Sequence, residues 1–298
     1  MKRFQEVTLG LIAITILGVI SAHAAGKNQR GTDNANREWS GAISASSSRN
    51  LVDLGDGSRT DAASTDFSLR YLSPIGNFST AFGYNYGLNR TAIEENVTDW
   101  SDSYITYSNF SQKWRFFNDF DLVLTPTAKI ILPLSHESKD IDKLQTATIL
   151  SFNYSISPNH KKALRSVNQL DQYQSIANRF TYTFGFSVGR NFHQFEKTLD
   201  GESLSKYSSN QSLGINYSFK SFDISIDYSH KSRWTYQNQT RESYGISEEI
   251  SYTFLKSWNV TAGHTNSGAA LKPNGQDSNF SVYDEKQSIV YFTGAYLL

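Results

Sequence analysis

The chain has 298 residues, with 28 basic and 28 acidic side chains, so its formal net charge is zero. This balance argues against a nucleic-acid-binding protein, which would carry a basic excess. The absence of cysteine excludes disulfide frameworks, thiolate metal sites and cysteine nucleophiles. Aromatic residues make up 14% of the chain, whereas hydrophobic residues reach only 38%. Many aromatics, few aliphatics and abundant Ser and Asn are typical of a large β structure with one wet face.

The N-terminus carries the clearest local signal. Lys2 and Arg3 precede an apolar run from Leu9 to Ile20, and Ala22 and Ala24 supply small residues at the −3 and −1 positions of a cleavage site. The apolar run is shorter than the ~20 residues that a helical membrane span needs. The sequence therefore predicts a secretory signal peptide at 1–24, removed in the mature protein.

The rest of the chain alternates with period two. Between 222 and 229, apolar side chains at even positions alternate with Asp and Ser at odd positions, and similar patterns run through 78–86, 180–188 and 211–219. Because successive side chains of a strand point to opposite faces, this alternation predicts half-buried strands rather than helices. About twelve strands are predicted, at 38–48, 64–73, 77–88, 100–109, 119–132, 145–157, 177–190, 208–219, 222–231, 243–254, 258–265 and 286–298.

The connections between these strands alternate in length. Those at 74–76, 220–221 and 255–257 are short, and longer ones fall between them, among them 232–242; 110–118 and 158–176 are long where a short turn is due. Short turns at one end and long loops at the other are the plan of an outer-membrane β-barrel. The Phe- and Tyr-rich face suits lipid, and the Ser-, Thr-, Gly- and Asn-rich face suits a water-filled lumen. The alternative is a soluble β-sandwich or β-solenoid, whose core would have to bury that polar face.

The predicted last strand adds a resemblance. Val290, Phe292, Tyr296 and Leu298 lie on one face of it. The segment resembles the terminal strand of Gram-negative outer-membrane β-barrel proteins, although those commonly end in Phe or Trp. The resemblance implies an all-β fold, a single antiparallel transmembrane barrel, insertion by the barrel-assembly machinery, and contact with outer-membrane lipid and lipopolysaccharide. The predicted organisation is a signal peptide at 1–24, a periplasmic N-terminal extension at 25–37 and the barrel at 38–298.

Three places fit the strand pattern poorly. Pro126 cannot donate a ladder hydrogen bond, which predicts a bulge there or a break at Thr125. Glu248 falls on the apolar face of 243–254, which predicts a bulge or a strand that rises above the membrane. The segment 100–109 does not separate into two faces.

One short segment offers catalytic chemistry. Residues 263–268, Gly-His-Thr-Asn-Ser-Gly, are loosely similar to the His-x-Ser-Asn segments of outer-membrane lipid-A deacylases and phospholipases. The similarity implies His264 as a general base for Ser267, with Glu285 as a candidate third group. Ser267 follows His264 by three residues rather than two, and residues three apart on a strand point to opposite faces. The alternative reading is a polar turn.

Metal sites have little support in the sequence. Asp53, Asp56 and Asp61 could supply oxygen ligands to Ca²⁺, but their spacing does not match an EF-hand loop and Asp-Gly is a common turn. The six His are scattered along the chain without a close pair. No metal, cofactor or nucleic-acid partner is predicted.

The charges on the polar face are the remaining candidates for function. Rings of charge set the selectivity of channels, although the same residues could form a static network that fills the lumen. The leading prediction is a passive, porin-like channel for small polar solutes. The alternatives are an outer-leaflet lipid hydrolase that uses His264 and Ser267, and a plugged structural or surface-interaction barrel. The predicted lumen-lining charges are Asp66, Arg70, Asp121, Lys129, Arg179, Asp223, Asp227, Lys231 and Glu249.

Overall fold

The computed structural model describes residues 39–50, 60–89, 98–109, 111–116, 120–158, 180–198, 200–254, 257–272, 277–284 and 287–297. The predicted signal peptide and the extension at 25–37 lie outside these ranges. Besides strands, the described ranges contain a π-helical turn at Glu137–Ile141. No helix within them is long and apolar enough to cross a membrane. The strands are β1 (Trp39–Asn50), β2 (Thr60–Ser73), β3 (Gly76–Asn89), β4 (Thr98–Trp100), β5 (Ser103–Ser108), β6 (Gln112–Phe116), β7 (Phe120–Leu132), β8 (Leu144–Pro158), β9 (Phe180–His193), β10 (Ser205–Phe219), β11 (Phe222–Thr235), β12 (Thr240–Phe254), β13 (Trp258–Ala269) and β14 (Ile289–Leu297).

The strands form one closed antiparallel sheet. Each strand pairs with its neighbour along the chain from β7 to β14, and β1 closes the ring by pairing with both β14 and β2. Strands β4, β5 and β6 lie end to end and together fill the place of one strand in the barrel wall, here called one wall position. Strands β4 and β5 both pair with β3, and β5 and β6 both pair with β7. The wall therefore has twelve positions, which confirms the predicted twelve-stranded barrel.

The register separates an apolar outer face from a polar inner face. Residues directly opposite one another on paired strands share a face. Tyr182, Ile215 and Ile226 stand in one such row, and each exposes 46 to 53% of its surface. The neighbouring row, on the other face, contains Thr183, Gly214 and Asp227. As the alternation predicted, Phe82, Tyr84, Phe184, Ile224 and Ile226 lie on the outward face, and Ser79, Thr183, Ser225 and Asp227 lie on the inward face.

Aromatic pairs form a girdle at the end of the barrel that carries the short turns. Their ring centroids are 4.5 to 5.1 Å apart, within the range of favourable aromatic contact. Outer-membrane barrels carry such girdles where the wall meets the membrane surface, and their short turns are periplasmic. This end is therefore the periplasmic one. The pairs are Trp39–Tyr71, Phe78–Tyr107, Phe180–Tyr217, Phe222–Tyr252 and Trp258–Tyr296.

Strand β7 runs unbroken through Pro126, so the predicted break at Thr125 is wrong. The irregularity predicted at Pro126 lies on the adjacent strands, where four residue steps from Ser108 to Gln112 span three steps of β7, from Thr127 to Leu124. Pro126 stays in register with Phe152 of β8. Its carbonyl oxygen accepts a hydrogen bond from the backbone N–H of Asn109, 3.1 Å away, at the junction between β5 and β6. In an antiparallel pair the N–H and C=O of one residue face the same neighbour. The missing donor of Pro126 therefore faces the interruption of the adjacent strand.

A bulge explains why 100–109 does not separate into two faces. Trp100 pairs with Tyr84 and Tyr104 pairs with Ala81, so four residues of this wall position oppose three of β3. The extra residue reverses the alternation and leaves Asp102 outside both β4 and β5. The predicted connection at 110–118 is also corrected, since most of it forms β6. That segment forms a tight hairpin with β7.

The bulge predicted at Glu248 is wrong, because strand β12 is regular there. Its register with both β11 and β13 is continuous from Ser243 to Tyr252, with Glu248 between Ile226 and His264. Glu248 therefore points outward from a regular strand. The predicted loop at 232–242 is mostly strand as well, because β11 and β12 extend to within four residues of each other.

Candidate functional site

The inner wall encloses a cavity of about 650 Å³. Its lining is built from small side chains, because the inward positions of β1, β13 and β14 carry Ser and Thr. Hydroxyl pairs satisfy one another across strands: Ser46 and Ser64 lie 2.7 Å apart, and Ser251 and Thr261 lie 2.8 Å apart. Such a surface hydrogen-bonds to water and leaves space at the centre, which suits a hydrated lumen.

The charged side chains that line this cavity are all acidic. They are Asp66, Asp102 and Glu249. Asp66 accepts hydrogen bonds from the hydroxyls of Ser44 and Ser64. Among the described residues, neither Asp66 nor Glu249 forms an ion pair with a Lys or Arg. The carboxylates of Asp66 and Glu249 are therefore not offset by a direct ion pair in the described structure.

Tyr291 is held flat against the wall beside Glu249. Its hydroxyl donates a hydrogen bond to Glu249. The ring lies over Gly263, where an added Cβ would lie 2.7 Å from ring atom Cε1. Only glycine allows this approach, so Gly263 gives Tyr291 the space to lie along the wall instead of projecting into the lumen.

The register places eight of the nine predicted charges on the inward face, and Arg179 lies outside the described residues. Asp66 and Glu249 border the same cavity, and Asp227 lies on the strand next to Glu249. Two others contact neighbouring side chains. Lys129 Nζ lies 3.8 Å from the ring centroid of Tyr104, and Asp223 accepts a hydrogen bond from the Ser218 hydroxyl. The eight are Asp66, Arg70, Asp121, Lys129, Asp223, Asp227, Lys231 and Glu249.

Sequence reasoning missed a cation in the lumen. Lys113 Nζ lies 2.6 Å from the Asp121 carboxylate, so these charges offset each other. Lys113 was overlooked because its segment was assigned to a connection. The alternating Gln112-Lys-Trp-Arg-Phe116 could have indicated a strand with Lys113 and Arg115 on its inward face.

Asp102 anchors the connection between β7 and β8. Its carboxylate accepts hydrogen bonds from the backbone N–H groups of Leu134 and Ser135 and from the hydroxyls of Ser135 and Ser138. Burial alone would raise the pKa of this carboxyl, but the four hydrogen bonds outweigh burial and hold the pKa below its usual value. The bulge residue between β4 and β5 thus fixes a loop at the extracellular rim.

The candidate hydrolase residues do not form a catalytic pair. His264 and Ser267 belong to the same regular strand, β13, and their register with β12 puts His264 outward, opposite Glu248, and Ser267 inward, opposite Gly245. The acid nearest His264 is Glu248, whose Oε2 lies 3.7 Å from Nδ1. Glu285 and most of the Asp53–Asp61 segment lie outside the described residues. Within the described ranges, no three His, Asp or Glu side chains converge as metal ligands.

Comparison with known proteins identifies the fold. No protein-family model matches the sequence, and no curated protein matches it. The COG4313 outer membrane channel from Pseudomonas putida F1 superposes with a TM-score of 0.56 at 10% identity, over 90% of this chain and 100% of that one. The NanC porin gives 0.48 at 9%, over 86% and 100%. The outer membrane protein OpdK from Pseudomonas aeruginosa gives 0.41 at 9%, over 87% and 98%.

The similarity to the Pseudomonas putida channel extends over the whole barrel. Together with the closed sheet, the apolar outer belt and the aromatic girdle, it shows that the fold is that of a Gram-negative outer-membrane β-barrel.

Proposed function

We propose that this protein is a passive outer-membrane channel for small polar solutes. The observation that carries the proposal is the inner wall, where Ser, Thr and Gly positions surround a cavity of about 650 Å³. Small polar side chains leave a hydrated path without binding a solute tightly, as conduction requires. The similar structure from Pseudomonas putida, itself described as an outer membrane channel, supports this reading.

No enzymatic role is part of the proposal. A Ser–His hydrolase needs its nucleophile within hydrogen-bond reach of the base. His264 and Ser267 point to opposite faces of the wall, His264 outward and Ser267 toward the lumen. Glu248 lies beside the outward-facing His264, but no hydroxyl nucleophile joins them from the same strand. Thr265, which follows His264 directly, faces the lumen as Ser267 does.

Conductance across a planar lipid bilayer tests the channel directly. The purified barrel should give discrete current steps, and Ser247→Trp should reduce them because Ser247 lines the cavity. Ile250→Trp is the matched control on the same strand, since Ile250 faces outward with 55% exposure. A folded barrel without conductance at any salt concentration would reject the channel and favour a plugged structural barrel.

The biogenesis of the protein is a further part of the proposal. Residues 1–24 are removed on export, the mature chain begins near Ala25, and 25–37 form a periplasmic extension before the barrel. The barrel-assembly machinery then inserts the barrel among outer-membrane lipid and lipopolysaccharide. N-terminal sequencing of the membrane-resident form should return residues near Ala25, and a sequence beginning at Met1 would contradict this.

A further inference from the structure

The connection between β13 and β14 folds back along the outside of the barrel. Asn266 Nδ2 donates a 2.7 Å hydrogen bond to the carbonyl of Ser281, and the backbone N–H of Ser281 bonds to the Tyr244 hydroxyl oxygen at 3.2 Å. The ring of Phe280 contacts those of Tyr228 and Tyr244, with centroids 5.8 and 5.3 Å apart. All three wall residues lie on the outward face. The segment 277–284 is therefore docked on the outer wall and not in the lumen.

The outward face of the wall beneath this segment carries polar and ionisable side chains. Asn266 is 1% exposed, and its Oδ1 is buried without a hydrogen-bond partner in the described structure. Below it, Glu248 and His264 face outward as a pair. Ionisable groups on the lipid side of a barrel destabilise it, most strongly near the midplane of the membrane. The segment shields Asn266 fully and covers His264, whose side chain is 19% exposed.

The other surface of the segment is apolar. Phe280, Val282 and Tyr283 are 50 to 54% exposed, and the Tyr283 ring stacks on His264 with centroids 6.4 Å apart. The wall residues around the docked segment include outward-facing Ile250 and Val290. The segment thus continues the apolar belt across a gap that the polar residues of β12 and β13 leave in it.

We propose that segment 277–284 is inserted in the outer leaflet of the membrane and that lipid acyl chains are its partner. The continuity of its apolar side chains with the lipid-facing belt identifies the partner, because a water-exposed loop would gain nothing by presenting them. Burial of this surface in hydrocarbon also keeps the segment closed over His264 and Asn266. The inference requires the membrane barrel but not conductance, so it stands or falls apart from the channel function.

Single-cysteine spin labels test the proposal, since the chain has no cysteine of its own. A nitroxide at Val282→Cys, in the folded barrel reconstituted in lipid vesicles, should collide with oxygen and be protected from a water-soluble nickel complex. The ratio of its collision rate with oxygen to its collision rate with the nickel complex should equal that of a label at Leu213→Cys, a lipid-facing wall position with 55% exposure. A label at Glu202→Cys, in the β9–β10 loop, supplies the aqueous reference.

Two results would overturn the proposal. A ratio equal to that of the Glu202→Cys label would place the segment in water. Spin–spin broadening that disappears on dilution with unlabelled protein would assign the surface to a second copy of the chain. Tyr283→Cys serves as a second probe if Val282→Cys fails to fold, and a lipid-like ratio at either position supports the proposal.

Discussion

At the scale of single residues, the lumen depends on close approaches that only glycine permits. Tyr291 would project into the lumen if Gly263 did not receive its ring, and its hydrogen bond to Glu249 fixes it there. Gly263→Ala should displace the ring, break that hydrogen bond and lower the single-channel conductance. Gly245→Ala is the control, because its added Cβ would lie 3.0 Å from the Ser229 hydroxyl and 3.9 Å from Ser267 Cβ, and no aromatic ring is among these contacts. Equal conductance for both variants would contradict this role of Gly263.

Asp102 gives the extracellular rim a predictable dependence on pH. Because its folded-state pKa is below the usual value of 3.8, its anchoring is fully present above that pH and is lost as pH falls through the folded pKa. A spin label at Glu137→Cys should be immobile at neutral pH and gain mobility in acid. In Asp102→Ala the label should be mobile at every pH, since the side chain then has no oxygen to accept these four bonds. A label whose mobility ignored both acid and the substitution would contradict the anchor.

At the scale of the element, each strand separates lipid from the aqueous lumen, and successive side chains point alternately to the two sides. Phe184 and Thr183 are neighbours on β9 that face opposite sides. Phe184→Arg should destabilise the barrel by about 2–4 kcal/mol, because it places a cation against lipid near the midplane. Thr183→Arg should cost much less, since its side chain enters the lumen near Asp227. Urea titration of the barrel folded in lipid vesicles measures the free energy of unfolding of both variants. Equal losses of stability would contradict the assigned faces.

The irregular elements show where alternation stops being sufficient. The bulge at Asp102 reverses the faces within one wall position, and no local pattern in 100–109 reveals which residue is the extra one. Pro126 correctly indicates an interruption of the strand pairing. The interruption lies in the neighbouring strand, between β5 and β6, and not in β7 itself. Glu248 looked like an interruption, yet it fits a regular strand once the segment 277–284 covers its neighbours.

At the scale of the whole molecule, the closed barrel brings charges from distant strands to one cavity. Asp66 on β2 and Glu249 on β12 line it together. Acids without paired cations raise the local concentration of cations, most strongly at low ionic strength where screening is weak. The pair Asp66→Asn and Glu249→Gln should shift the reversal potential in a salt gradient toward anions. The matched control is Glu242→Gln with Asp277→Asn, which removes two carboxylates outside the lumen, and an equal shift there would show that the lumen acids do not select.

The sequence by itself determined most of the strands, the twelvefold wall and the two faces of its regular strands, because period-two alternation and turn length are local properties of the chain. It also indicated which charges share the inner face, since every second residue of a regular strand points to the same side. Only the tertiary structure decided which of those charges meet, because the ring closes by pairing β1 with β14, which brings β2 near β12 although the two strands are far apart in sequence. Only the tertiary structure, likewise, put Lys113 against Asp121 and folded segment 277–284 onto the outer wall. Those contacts depend on the register between strands and on the path of a connection, neither of which a pattern within one segment encodes.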